Sequence, residues 1–133
     1  MLSMLLAAVG VFGLWTTVDD ETGEPKSVVE VYEKDGEAWG RVVKILKGNP
    51  EATAKIDGSP KIVGLDILRN LKCEGAKDDP KAKWSGGTVL DPKKGRTYNA
   101  QVWLDGTNLV MRGSIAFIGR KQVWIPYEGQ LSR

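Results

Sequence analysis

Two Asp-Gly dipeptides, Asp35-Gly36 and Asp105-Gly106, each lie between runs in which apolar and polar residues alternate, and they limit the fold more than any other feature. The central residues of a two-residue hairpin turn need positive φ, which Asp and Gly supply at low cost, so each dipeptide predicts two antiparallel strands. Around Asp35-Gly36 the pairing sets Lys34 against Glu37, Tyr32 against Trp39, Val31 against Gly40, Glu30 against Arg41, Val29 against Val42 and Val28 against Val43. One face then carries Tyr32, Trp39 and the Glu30–Arg41 pair, and the other Val29, Val31 and Val42, as in a half-buried sheet. The pair is either an exposed cross-strand contact or, on the lumen side of a barrel, a group that orients a polar ligand head.

Around Asp105-Gly106 the same rule sets Trp103 against Asn108, Val102 against Leu109, Gln101 against Val110, Ala100 against Met111, Asn99 against Arg112 and Tyr98 against Gly113. Tyr98, Ala100, Val102, Leu109, Met111 and Gly113 share the apolar face, and Tyr98 is expected to cover Gly113. Trp103 falls on the polar face with Gln101 and Arg112, where an exposed indole marks a contact face for a protein partner.

A third hairpin joins Trp84–Leu90 to Arg96–Leu104 through Asp91-Pro92-Lys93-Lys94-Gly95, with Pro92 suited to the turn and Gly95 to its left-handed closing residue. Ser85-Gly86-Gly87 lies inside this hairpin and opens no helix, so a bulge or close backbone contact explains it better than a phosphate cradle. The stretch Lys47–Lys83 reads as long solvated loops around one ordered piece, Ile62–Leu71. Leu65, Leu68 and Leu71 fit a helical stripe and Leu65 and Ile67 a strand; the strand, Ile62–Leu68, is preferred. With Gly13–Val18 at the start and Arg120–Tyr127 at the end, the total is eight strands, which predicts an all-β, antiparallel, up-and-down barrel.

Composition removes several functions. In 133 residues there is no histidine and one cysteine, Cys73, which takes away the usual proton shuttle, the commonest metal ligand and any intrachain disulfide. Serine nucleophiles therefore lack an imidazole base, no Asp-x-Asp-x-Asp-Gly loop suits calcium, and the pairs Asp19-Asp20 and Asp78-Asp79 read as turn residues. No catalytic residue, metal or cofactor is expected. Nineteen basic against 17 acidic residues leave a net charge of +2, too even for a nucleic-acid binder. Residues 13–133 form one domain. Met1–Phe12 is apolar, too short for a transmembrane segment of about 20 residues, and reads either as a remnant of a secretory signal, with Ala7, Ala8 and Gly10 near the cleavage site, or as an apolar lead-in to the first strand.

Gly13-Leu14-Trp15 resembles the Gly-x-Trp signature of lipocalins, in which the tryptophan plugs one end of an eight-stranded barrel and an arginine of the last strand lies against it; Arg120 is the candidate arginine. A longer ordered set comprises Gly13-Leu14-Trp15, Trp39-Gly40-Arg41-Val42-Val43, Pro60 with Gly64-Leu65 and Ile67-Leu68, Trp84 to Pro92, Gly95-Arg96-Thr97-Tyr98, Met111-Arg112-Gly113 and Gly119 to Trp124. This set resembles a bacterial family of small exported proteins, the domain-of-unknown-function 2147 family. Trp39 departs from the tyrosine more usual there, and the leader is abbreviated. The resemblance implies a lipocalin-like (calycin-like) barrel and a periplasmic or secreted location, and it brings no catalytic residues. A small apolar or amphipathic ligand is expected in the lumen, against Val29, Val31, Val42, Tyr98, Ala100, Val102 and Met111. The alternative is a filled barrel that acts through its outer surface, with Trp15 and Trp124 as plugs.

Overall fold

The computed structural model describes residues 10–129. Eight strands, β1 (Gly13–Val18), β2 (Pro25–Lys34), β3 (Glu37–Ile45), β4 (Asp66–Cys73), β5 (Trp84–Asp91), β6 (Arg96–Asp105), β7 (Asn108–Ile115) and β8 (Ile118–Pro126), form a closed antiparallel barrel. Each strand pairs with the next in sequence, and β8 returns to β1 through Trp15–Pro126 and Thr16–Ile125. Among the described residues no helix is long and apolar enough to cross a membrane.

The hairpins show where turn chemistry sets register. Asp35 (φ 54°) and Gly36 (φ 78°) form the β2–β3 turn, and the pairing runs as expected from Lys34–Glu37 to Val29–Val42. Val28 then pairs with Lys44 and not with Val43, because a bulge leaves Val43 as an extra residue and turns Ile45 inward opposite Ser27. In the β6–β7 hairpin the expected register is displaced by two residues. Asp105 stays in the strand opposite Asn108, so the turn is Gly106-Thr107, with Gly106 (φ 63°) at the first central position as a type II′ turn needs. Trp103 therefore faces Val110, Val102 faces Met111 and Ala100 faces Gly113. A slip of two keeps every side chain on its expected face, whereas a slip of one would have inverted both strands. Tyr98 still approaches Gly113, diagonally: a Cβ on that glycine would lie 3.6 Å from Tyr98 Cβ.

The Asp91–Gly95 turn forms as expected. Gly95 (φ 69°) donates its N–H to the Asp91 carbonyl at 2.8 Å, and the Asp91 carboxylate accepts from the backbone N–H groups of Lys93 and Lys94 at 3.0 and 3.2 Å. The ordered piece of the middle is a strand, but it starts at Asp66. Ile62 belongs to a loop, 46–65, that is less solvated than its composition implies. A bridge between Thr53 and Lys61 folds this loop on itself, Lys55 N–H bonds to the Pro92 carbonyl at 2.9 Å, and Ala54 and Ile62 reach the core. The last strand begins at Ile118 and not at Arg120.

Alternation sends Trp15, Val29, Val31, Ala38, Val102 and Leu109 inward, where the end of the barrel bearing the β2–β3 and β6–β7 turns is tightly filled. Residues 10–12 cross that end. Val11 is buried, its carbonyl accepts the Trp15 indole N–H at 2.8 Å, and Phe12 meets Trp84 edge-on with ring centroids 5.3 Å apart. Residues 10–12 thus complete the plug. Residues 1–9, and with them Ala7 and Ala8 of the signal reading, lie outside the described residues.

The glycine pair in β5 is a close contact, as expected. Gly86 (φ 80°) sits at an irregularity of the β5–β6 register, and a Cβ on Gly87 would stand 2.0 Å from the Arg69 carbonyl oxygen. Because that oxygen is backbone, Gly87→Ala is expected to cost about 3 kcal/mol or more. Gly75→Ala, where a Cβ would meet nothing within 4 Å, is expected to be near neutral; paired urea transitions check both. Trp15→Phe strands the Val11 carbonyl in a dry environment and is expected to lose about 1–3 kcal/mol, read as a lower urea midpoint at unchanged slope.

Candidate functional site

An up-and-down barrel places alternate connections at alternate ends, so the β1–β2, β3–β4, β5–β6 and β7–β8 connections share the end opposite the plug. There the lumen is hollow. A cavity of about 800 Å³ runs from Trp124, Met111 and Val42, past Ile67, Val89 and Tyr98, to a mouth that includes Asp20, Lys26, Lys47, Lys93, Lys94, Ile118 and Arg120. That volume falls in the roughly 300–1,000 Å³ range of small-molecule sites. The upper wall is formed by Ile45 and Ile62, with Gly113 opposite.

Val42, Tyr98 and Met111 line this cavity, as the sequence leads one to expect. Val29, Val31, Ala100 and Val102 do not: each is at most 2% exposed and is covered by its neighbours in the core. The alternation assigns these residues to the correct face but carries no information about which of them stay uncovered. Several lining residues escape such a reading. Ile45 points inward because of the bulge at Val28/Val29, Ile62 comes from a loop, and β8 presents Ile118, Arg120, Gln122 and Trp124 to the lumen in a polar disguise. With Trp124 taken as an inward plug, period two would have found Gln122 and Arg120.

Polar groups are few and organised. The hydroxyls of Thr17 and Ser27 lie 2.7 Å apart on the wall. A string runs from floor to mouth: the Trp124 indole donates to Gln122 Oε1 at 3.0 Å, Gln122 Nε2 donates to Asp20 Oδ2 at 3.2 Å, and Arg120 approaches the same oxygen at 3.8 Å. Arg120 is therefore not the arginine expected beside Trp15. β1 and β8 run antiparallel with Trp15 level with Pro126, which leaves Arg120 six residues away, about 20 Å along the strand, at the opposite end. Other mouth carboxylates are also engaged. The backbone N–H groups of Glu21 and Thr22 hold the Asp19 carboxyl below its usual range, and the hydrogen bond from Lys47 does so for Glu24. The same bond raises the Lys47 ammonium.

Outside the barrel, Glu30 and Arg41 are register partners on the solvent face, so they orient nothing in the lumen. Arg41 contacts Asp66 at 3.7 Å and donates to the Tyr32 hydroxyl at 2.9 Å, and that hydroxyl donates to Asp66 at 2.7 Å. Partial burial, followed by the Asp66 hydrogen bond, raises the Tyr32 phenol above its ordinary value. Trp103 is on the outer face as expected but only half-exposed. Lys83 Nζ stands 4.7 Å and Lys121 Nζ 5.6 Å from its ring, and its neighbour is Val110, not Asn108. These lysines cover the surface expected to meet a partner. Cys73 bonds weakly through its thiol to the Gly75 carbonyl at 3.4 Å.

Among solved structures, the chain is similar to the one described as "Protein HP1028 from the human pathogen Helicobacter pylori belongs to the lipocalin family". Identity is 19%, the match covers 91% of this chain and 85% of that one, and the TM-score is 0.71. The likeness shows that the fold is lipocalin-like. No curated protein matches the chain. Residues 13–125, from β1 into β8, match the bacterial family described as "Uncharacterized protein conserved in bacteria (DUF2147)", and the chain belongs to that family.

Proposed function

We propose that this protein is a non-enzymatic binding protein of the bacterial envelope, periplasmic or secreted, that holds one small amphipathic molecule in the open half of its barrel. The observation that carries this reading is the asymmetry of the lumen: one end is packed and plugged, and the other opens an apolar cavity of about 800 Å³. Filling such a cavity removes apolar surface from water at both ligand and wall, worth roughly 25 cal/mol per Å². The mouth adds selectivity. Lys26, Lys47, Lys93, Lys94 and Arg120 stand over it against Asp20 and Asp91, which favours a ligand with an anionic head and an apolar tail.

The polar groups among the described residues favour binding over catalysis. The Thr17–Ser27 hydroxyls have no base beside them, and the perturbed carboxylates Asp19 and Glu24 are held ionised on exposed loops. The envelope location is part of the proposal; the resemblance to a family of small exported proteins and the apolar Met1–Phe12 stretch favour it. A filled barrel working through its outside is less well supported, since the upper lumen is empty space lined by side chains.

A medium-chain fatty acid is the appropriate probe. Trp124, 1% exposed on the cavity floor, is expected to report its entry as a saturable change in fluorescence. A Cβ at Gly113 meets Val89 and Tyr98 at 3.5 and 3.6 Å, ordinary contact distances, so Gly113→Ala is expected to bind normally. Gly113→Leu extends into the cavity and is expected to weaken the fatty acid at least about tenfold while the urea transition stays within about 1 kcal/mol. Equal affinity of the two variants, or no saturable signal with any chain length, contradicts the reading.

A further inference from the structure

The β7–β8 hairpin carries a feature that cavity binding does not require. Its tip lies at the mouth and is apolar and exposed: Phe117 is 99% exposed, and Ile118 (81%) and Ile115 (50%) stand on the rim of the cavity. Ile115 and Ile118 are paired across the two-residue turn Ala116-Phe117, and Ala116 adopts φ 54°, a left-handed conformation that alanine seldom accepts. The chain thus holds a bulky apolar side chain in water on a turn whose backbone is itself unfavourable. Singly exposed hydrophobic residues are ordinary, but three together on a protruding tip mark a contact.

Charge identifies what the tip contacts. Between Gly106 and Tyr127 the chain has Arg112, Arg120 and Lys121 and no Asp or Glu. The neighbouring mouth turn exposes Lys93 and Lys94. Most nearby carboxylates are engaged within the protein, Asp20 with Gln122 and Arg120, Asp91 with its own turn and Glu24 with Lys47, and Glu21 stays exposed on the β1–β2 turn. An apolar wedge ringed by cations complements an interface that is apolar beneath and anionic above. A narrow, convex tip suits penetration between headgroups better than packing against a flat protein face.

We propose that the β7–β8 hairpin docks the barrel mouth-first on an anionic lipid surface, with Phe117 and Ile118 entering the headgroup region and the surrounding lysines and arginines facing the phosphates. This docking shares Ile118, Lys93, Lys94 and Arg120 with the cavity mouth but turns on Phe117, which does not line the cavity, so a Phe117 variant separates it from ligand binding. Its consequence is that the cavity opens toward the bilayer.

The test uses the full chain and sedimentation with large vesicles, of phosphatidylcholine alone or with phosphatidylglycerol added. The protein is expected to pellet with the anionic vesicles, to do so far less with neutral ones, and to be released as salt screens the surface. Phe117 is fully exposed, so Phe117→Ser leaves the fold intact; it is expected to weaken vesicle binding about ten- to a hundredfold. The same variant is expected to keep the fatty-acid response of Trp124. Phe117→Trp is expected to bind and to shift its emission to the blue on vesicle addition. Equal pelleting of Phe117→Ser and the unaltered protein overturns the proposal. So does a protein that ignores anionic vesicles but forms a dimer lost on Phe117→Ser, which would make a second copy of this chain the occupant.

Discussion

The structure depends on how one end of the barrel is closed. Trp15 lies inside the first strand with its indole N–H in the dry interior, where an unsatisfied donor costs far more than at a surface, and the Val11 carbonyl satisfies it at 2.8 Å. That single bond folds the preceding chain across the barrel end, buries Val11 and brings Phe12 against Trp84. Leu71, Ala38, Val31, Val102 and Leu109 complete the packing beneath it. Eight strands enclose more lumen than these residues fill, so a barrel filled from one end remains hollow at the other. Plug and cavity are two consequences of one closure.

Period-two alternation accounts for what the sequence revealed of this arrangement and for what it did not. It separated inward from outward residues in β2, β3, β6 and β7, because burial of one face penalises any odd slip in register. It could not detect an even slip, and so Asp105-Gly106 was an ambiguous signal. Gly106 serves equally as the second residue of one turn type and the first of another, and only the placement of Asp105 opposite Asn108 decides between them. Which inward residues stay uncovered was equally invisible. Val29 and Val42 are register partners in identical local patterns, yet Val42 lines the cavity and Val29 is covered by its neighbours, because other strands and loops decide what lies over an inward side chain. The 46–65 loop escaped for a different reason. Its Lys, Asp, Gly and Pro residues read as solvated, while Ala54 and Ile62 are carried inward by the bridge between Thr53 and Lys61 and by the Lys55–Pro92 hydrogen bond.

The family resemblance was more reliable for the fold than for individual roles. Trp15 plugs the barrel as lipocalins imply, but the arginine partner does not follow, since Arg120 sits at the far end and completes the string from Trp124 through Gln122 to Asp20. Gln122 is held by this string between Trp124 and Asp20, and at the mouth Asp20 lies near Arg120 and Glu24 near Lys47, while Lys93 and Lys94 stay exposed. Apolar floor, oriented polar wall, cationic rim and protruding apolar hairpin lie in sequence along one axis. That order is the structural basis for proposing an amphipathic ligand, and it puts the open end of the cavity and the exposed Phe117 and Ile118 at the same end.

The central claim is that the upper lumen is built to be occupied. Native mass spectrometry of the protein purified from its own cells without detergent tests it most directly. A discrete small-molecule adduct at one copy per chain, lost on denaturation and absent from Gly113→Leu, is the predicted result. Bare protein in repeated preparations, or an adduct that Gly113→Leu retains unchanged, would contradict the account.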